Sequence, residues 1–192
     1  YAVDPWAGYK HAVEVWLEKD ALAGPVYDVT HDYCVPLRVQ RGYARLSASY
    51  KAARDIAARS RNGQTTCVFY LRDFDPSGAD AARAAEQAVG DILESDFDTD
   101  QSVMDVTMLA VNESQIARWN LPTRPTKTSD SRSAGFGSQV SVELDAIPPA
   151  ELRGLVEGAI KKMLPPSAMA IKEAEEESTR AYLAGLAAAG RH

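Results

Sequence analysis

The run Thr65–Leu71, Thr-Thr-Cys-Val-Phe-Tyr-Leu, constrains this chain more than any other stretch. It is continuously apolar and β-branched, with no polar alternation. A strand with one face in water alternates, whereas a strand covered on both faces, as in a parallel sheet, does not. A parallel strand needs neighbours joined to it by long crossovers, usually helices. The rest of the sequence supplies them in order. His11–Leu17 has Val13, Val15 and Leu17 alternating against polar neighbours, with Glu18 at its C-terminal end. A short helix is expected from Lys19 or Asp20. Residues 34–39 suggest a second strand, weakened by Pro36, which removes a ladder donor. Ser47 resembles the N-cap of a helix running to about Arg61, stopped by Asn62-Gly63. After the Thr65–Leu71 strand, an alanine-rich helix is expected from about Ser77 to Leu93, then a strand over residues 102–111. Asn112 or Ser114 then caps a short helix ending at Trp119. This β-α-β-α-β-α-β order predicts a Rossmann-like α/β fold, a central parallel four-stranded sheet flanked by helices.

Beyond residue 119 the pattern changes. Residues 120–138 hold Pro122, Pro125, Gly135, Gly137 and many Ser and Thr, which predicts a long loop. Such a loop inside a compact domain usually carries function. An amphipathic helix is expected over residues 148–164, broken by Pro165-Pro166. A last helix over residues 167–189 carries Glu173, Glu175, Glu176 and Glu177. The chain is therefore expected to divide into an N-terminal extension (1–10, a candidate remnant of an upstream domain), an α/β domain (11–166) and a C-terminal acidic helix (167–192).

At 192 residues, 45% apolar and 25% charged, the composition is globular. No apolar run approaches the roughly 18 residues of a membrane span, and no signal-peptide pattern opens the chain. Cys34 and Cys67 are too few for a disulfide framework or a zinc cage and point to a reducing cytoplasm. His11, His31 and His192 have no metal-binding spacing.

The net charge of −6, taken alone, argues against a nucleic-acid binder. By segment it splits. Residues 38–72 hold eight bases (Arg38, Arg41, Arg45, Lys51, Arg54, Arg59, Arg61, Arg72) and one acid, Asp55, for +7. Residues 73–113 hold eleven acids and one base, Arg83, for −10. Two readings stand: two solvated helix faces of opposite sign, or a basic strip for phosphates beside an acidic pocket for metal ions.

In parallel sheets, ligands bind beyond the carboxyl ends of the strands. Glu18 and the Asp73/Asp75 pair lie at two such predicted ends and can share one rim. Two aspartates at i and i+2 past a strand end can address one ion. Mg²⁺ takes hard oxygen ligands, usually one or two carboxylates, and keeps water and substrate phosphates for the rest. Glycosyltransferases and aspartate-based phosphatases also use Asp-x-Asp. The bland alternative is two acids favoured by a helix N-terminus.

Glu18 at the end of the first strand and Asp73-Phe74-Asp75-Pro76-Ser77-Gly78 at the end of the third resemble the Toprim domain. That domain is shared by topoisomerases, DnaG-type primases and nucleases of the overcoming-lysogenization-defect family. The likeness is strongest to the Toprim half of the topoisomerase VI A subunit and its meiotic double-strand-break relatives, which carry Asp-x-Asp-Pro-x-Gly. Bacterial and phage proteins of that branch are similar further along: Trp16-Leu17-Glu18-Lys19-Asp20-Ala21-Leu22, Arg41-Gly42-Tyr43, Leu121-Pro122, Lys127-Thr128-Ser129-Asp130-Ser131-Arg132 and Glu143-Leu144-Asp145-Ala146-Ile147-Pro148-Pro149. The resemblance spans about residues 11–165.

It implies a Toprim fold for the α/β domain (11–166) and Mg²⁺- or Mn²⁺-dependent chemistry on the DNA phosphodiester backbone, as a nuclease or as the metal-binding half of a topoisomerase-like strand-breaking enzyme. By motif position, Glu18 is the general acid/base or a metal ligand, and Asp73 and Asp75 hold the ion. Asp80, Glu143 and Asp145 are candidates for a second ion. Asp80 alternatively favours its first helical turn, and Glu143 and Asp145 equally suit caps of the next helix. Arg38, Arg41, Arg45, Lys51, Arg54, Lys127 and Arg132 are candidate DNA-phosphate contacts, with plain solubility as the alternative for each. Topoisomerases of this branch attack DNA with a tyrosine on a preceding winged-helix domain. No tyrosine here has a nucleophilic context. The alternative function is a non-catalytic DNA- and metal-binding module that requires an upstream winged-helix domain or a partner subunit.

Overall fold

Three strand ends finish level with one another, and that alignment builds the rim. In the computed structural model, which describes residues 3–40, 45–126 and 136–189 (not the side chains of residues 45 and 187–189), Leu17 pairs with both Val39 and Leu71. The strands are β1 (His11–Leu17), β2 (Leu37–Val39), β3 (Thr65–Leu71) and β4 (Met104–Ala110). All pair in parallel, in the order β2-β1-β3-β4. The fold is thus α/β, a four-stranded parallel sheet flanked by helices. From β1 the chain moves outward to β2, then returns past β1 to β3 and on to β4. The direction reverses between β1 and β3. In open α/β sheets this reversal opens the crevice in which ligands bind.

The reversal also sorts the helices onto two faces. Val13, Val15, Leu17 and Phe69 pack with Val26 of α1 (Ala23–Asp32) and with Leu152 and Val156 of α5 (Pro149–Met163). Trp16, Val68 and Tyr70 pack on the other face against α2 (Arg45–Arg61) and α3 (Pro76–Phe97). Those helices present Ala52, Ala53, Ile56, Ala57, Ala82, Ala85, Val89 and Leu93, all buried. Each fully buried Val, Leu or Ile contributes about 1.5–3 kcal/mol relative to exposure. The short α4 (Glu113–Trp119) follows β4, capped by Asn112 through a reciprocal capping box with Gln115.

Several elements differ from the sequence expectation. The alternation along β1 predicts one polar face, but Glu14 and Trp16 are fully buried. A central strand is covered on both sides, and Glu14 is accommodated by ion pairing rather than by water. β2 is only three residues long. Pro36 has no N–H and contributes its carbonyl, which accepts from Val15 N at 2.9 Å, while Cys34 sits at φ +54°. α2 spans Arg45–Arg61 among the described residues, so Ser47 lies inside the helix. α3 continues to Phe97, ended by Asp98 in the left-handed region at φ +47°.

The segment read as a long loop carries a two-residue hairpin, β5 (Arg124–Pro125) with β6 (Val140–Ser141). Within residues 3–10, Trp6 is buried, its indole Nε1 donates to Tyr33 O at 2.8 Å, and Gln64 Nε2 donates to Trp6 O and Tyr9 O. The C-terminal α6 (Ala168–Ala189) is tied to them by Val3 N donating to Glu176 Oε1 at 3.1 Å. No helix among the described residues is long and apolar enough to cross a membrane.

Candidate functional site

The site lies at the β1/β3 reversal. Glu18 is the first residue beyond β1, and its N–H donates to Leu71 O at 3.0 Å. Its carboxylate turns toward β3, where Oε2 accepts from Asp73 N at 3.1 Å. Asp73 Oδ1 accepts from Leu144 N at 2.8 Å. Asp75 is the N-cap of α3: its Oδ1 accepts from Gly78 N at 2.7 Å and from Ser77 Oγ at 2.9 Å, with Pro76 in the first turn. Gly78 explains how the Glu18 and Asp75 carboxylates meet beside the Asp73 backbone. A Cβ there would lie 2.7 Å from Asp73 O, 3.2 Å from Glu18 Oε2 and 3.3 Å from Asp75 Oδ1. Only a residue without a side chain lets the helix start approach both strand ends. Of the sequence-predicted triad, the Glu18 and Asp75 carboxylates are brought together at Gly78, while the Asp73 carboxylate on the same rim is engaged by Leu144 N and Lys19.

Burial raises the Glu18 carboxyl above its ordinary range; the Asp73 N–H opposes this, and the neighbouring Asp73 and Asp75 charges add to it. Asp73 is raised too, by burial first and with Glu143 adding, against the Leu144 N–H and Lys19. Both carboxyls are held above their usual range chiefly because burial disfavours the charged form.

Two bases that the sequence reading left unassigned stand at this rim. Lys19 Nζ lies 3.2 Å from Asp73 Oδ1 and 3.3 Å from Asp145 Oδ1, and it pairs with Glu143. Burial would lower this ammonium, but Glu143, Asp73 and Asp145 together raise it. Arg124 pairs with Glu143 and approaches Asp75 Oδ2 at 3.7 Å. Arg124 arrives because residue 142 runs antiparallel to the motif: Phe74 N donates to Val142 O at 2.8 Å and Val142 N to Phe74 O at 3.0 Å. The signal for Lys19 was its position directly after a strand-end glutamate. Arg124 had none, since its contact depends on strand pairing across the loop.

The remaining candidates separate. Glu143 and Asp145 do not cap α5, whose N-cap Pro148 has no side-chain bond; the capping alternative is corrected to ion pairing with Lys19 and Arg124. Asp80 lies one turn into α3 and pairs with Arg83 at 2.9 Å. Arg38 points inward: its Nε and Nη2 donate to Glu14 at 2.6 and 2.7 Å, and Nη2 also donates to Asp55 at 2.9 Å. Arg59 Nη1 donates to Glu14 as well, at 2.7 Å. Lys51, Arg54 and Arg61 are exposed on α2, with Arg54 bonded to its neighbour Asp55. Arg41, Lys127, Arg132 and the Arg45 side chain lie outside the described residues.

Among the described residues, no three His, Cys, Asp or Glu side chains form a ready-made metal cage. The donors fit a hard divalent ion in kind, being carboxylate oxygens beside a crevice. Asp73 is already paired with Lys19 and Asp75 is approached by Arg124. Comparison with known proteins adds no relative: no protein-family model, no curated protein and no solved structure matches this chain.

Proposed function

We propose that this chain is a Toprim-type domain that binds Mg²⁺ or Mn²⁺ and acts on the DNA phosphodiester backbone, as a nuclease or as the metal-binding half of a strand-breaking enzyme. One observation carries the reading: Glu18 and the Asp73/Asp75 pair, 55 residues apart in sequence, share one rim at the strand-order reversal of a parallel sheet, where the Glu18 carboxylate accepts from Asp73 N and meets the Asp75 carboxylate at Gly78. Asp73 and Asp75 would hold the ion, with Glu18 as a further ligand or the general acid/base. A bound ion supplies Lewis-acid polarisation of a phosphoryl oxygen. Burial and the neighbouring acids favour the protonated form of Glu18, which suits a group that moves a proton. The exposed Lys51 and Arg54 of α2 are available to DNA phosphates. Free Cys34 and Cys67 suit the reducing cytoplasm.

The test is Mg²⁺-dependent nicking of supercoiled plasmid by wild type, Asp73→Ala and Glu18→Ala. Nicking by wild type that both substitutions reduce at least about a hundredfold is expected, the usual scale for an acid–base group. Equal activity in all three would remove the site.

A second reading is a metal- and DNA-binding module whose cleavage depends on an upstream winged-helix domain or a partner subunit. It is favoured by the positions of four described tyrosines. Tyr33 is bonded to Glu157, Tyr50 packs tilted against Phe97, Tyr70 packs edge-on to Trp16, and Tyr182 is exposed on α6. Metal and DNA binding without nicking would select this reading.

A further inference from the structure

Charged side chains of alternating sign form a continuous line across the rim: Asp73, Lys19, Glu143, Arg124, Asp75. Each aspartate of the Asp-x-Asp pair thus faces a base, and one glutamate holds both bases. Lys19 has the more complete coordination. Its ammonium has three carboxylates around it, from the β3 end and from the turn at residues 143–145, and its side chain is four-fifths covered. Asp73 Oδ1 receives both this ammonium and the Leu144 N–H. An oxygen with two donors already on it has little capacity left for an ion. An ammonium and a divalent ion against the same carboxylate also repel each other.

We infer that Lys19 is a resident counter-cation that competes with the divalent ion for Asp73, and that Glu143 and Asp145 hold Lys19 in place rather than ligating a second ion. The inference rests on the metal-binding reading of Asp73 and Asp75. It accounts for two features that the reading alone leaves open: Lys19 lies against the proposed ligand, and Glu143 and Asp145 face Lys19 rather than the Glu18 carboxylate. Lys19 is a positioning residue, since it acts through Asp73.

The experiment measures Mn²⁺ binding to the whole chain, from the electron paramagnetic resonance signal of free Mn²⁺. Lys19→Met is expected to bind at least about fivefold more tightly than wild type, the scale of a screened repulsion over a few ångströms. Lys19→Arg, which keeps the charge, stays near wild type. So does Arg83→Met, which removes a base from exposed α3 and controls for net charge. A second measurement needs no substitution in the protein observed. The side-chain ammonium resonance of Lys19 in wild type, assigned by its loss in Lys19→Arg, is followed by NMR during Mg²⁺ titration. It is expected to move as Mg²⁺ saturates, while that of Lys161, paired with Glu157 at 2.7 Å, stays in place. Equal Mn²⁺ affinity of wild type and Lys19→Met with an unmoved Lys19 resonance overturns the inference and leaves the metal site standing. Mn²⁺ bound by neither protein overturns both.

Discussion

Glu14 is a carboxylate in the middle of a sheet, and four N–H groups reach it: the indole of Trp16, two nitrogens of Arg38 and one of Arg59. Burial pushes this carboxyl up, but the bonds and charges of Arg38 and Arg59, with Trp16, bring it below its usual range. Burial would lower Arg38, but Glu14 and Asp55 raise it. Removing one member of a buried ion network leaves the others uncompensated, which costs about 3–5 kcal/mol. Glu14→Gln is therefore expected to lose about 3 kcal/mol, measured as the shift of the urea midpoint at pH 7. The pH dependence has a definite sign. A carboxyl whose folded pKa lies below its unfolded value stabilises the fold above the unfolded value, 4.5 here, and that contribution is lost as pH falls through the depressed folded value. Wild type should thus lose stability below about pH 4.5 more steeply than Glu14→Gln. An identical acid slope in the two proteins would contradict this account of Glu14.

At the scale of the element, Asp75 has two duties that substitution can separate. As N-cap of α3 it accepts from Gly78 N, and as a strand-end acid it belongs to the proposed ion site. Asn caps about as well as Asp, whereas Ala loses about 1 kcal/mol. Asp75→Asn should therefore melt within a few degrees of wild type yet lose Mn²⁺ affinity, while Asp75→Ala loses both. Calorimetry and Mn²⁺ titration on the two variants check this, and a cap role alone would leave Asn at wild-type affinity. Elements of this kind were largely legible before any coordinates. The unbroken apolar run of β3, the Asn112 cap of α4 and the proline break after α5 are local signals, set by residues within a turn of one another. β1 was legible as a strand, but not as one buried on both faces, because its polar positions are covered by α2 and α3 from elsewhere in the chain. The β5/β6 hairpin was missed for the same reason. Two residues per strand leave no periodicity to detect, and their pairing is stabilised by the bridge from Phe74 to Val142.

Over the whole molecule the charge map changes character. The +7 segment suggests a strip of eight bases, yet Arg38 and Arg59 are turned inward to Glu14 and Arg72 is desolvated beside Asp73 and Met108. Among the described side chains of α2, the outward-facing bases are Lys51, Arg54 and Arg61. If α2 meets DNA, the double substitution Lys51→Ala/Arg54→Ala should lower the slope of log affinity against log salt by about 1–2, at roughly 0.9 per phosphate contact. It should leave folding unchanged. Fluorescence anisotropy with a labelled duplex, repeated across salt concentrations, reads that slope; an unchanged slope would remove α2 from the DNA-contacting surface.

Sequence alone determined the order of strands and helices, the parallel sheet, and the three carboxylates placed at strand ends. Each follows from periodicity, capping or spacing within a few residues. Tertiary structure alone decided which charges meet. Lys19 lies 124 residues from Glu143, and Arg59 lies 45 from Glu14. Charge attraction has no periodicity along the chain, so its partners are chosen only when the sheet order and the crossing of residue 142 over Phe74 bring them within a few ångströms.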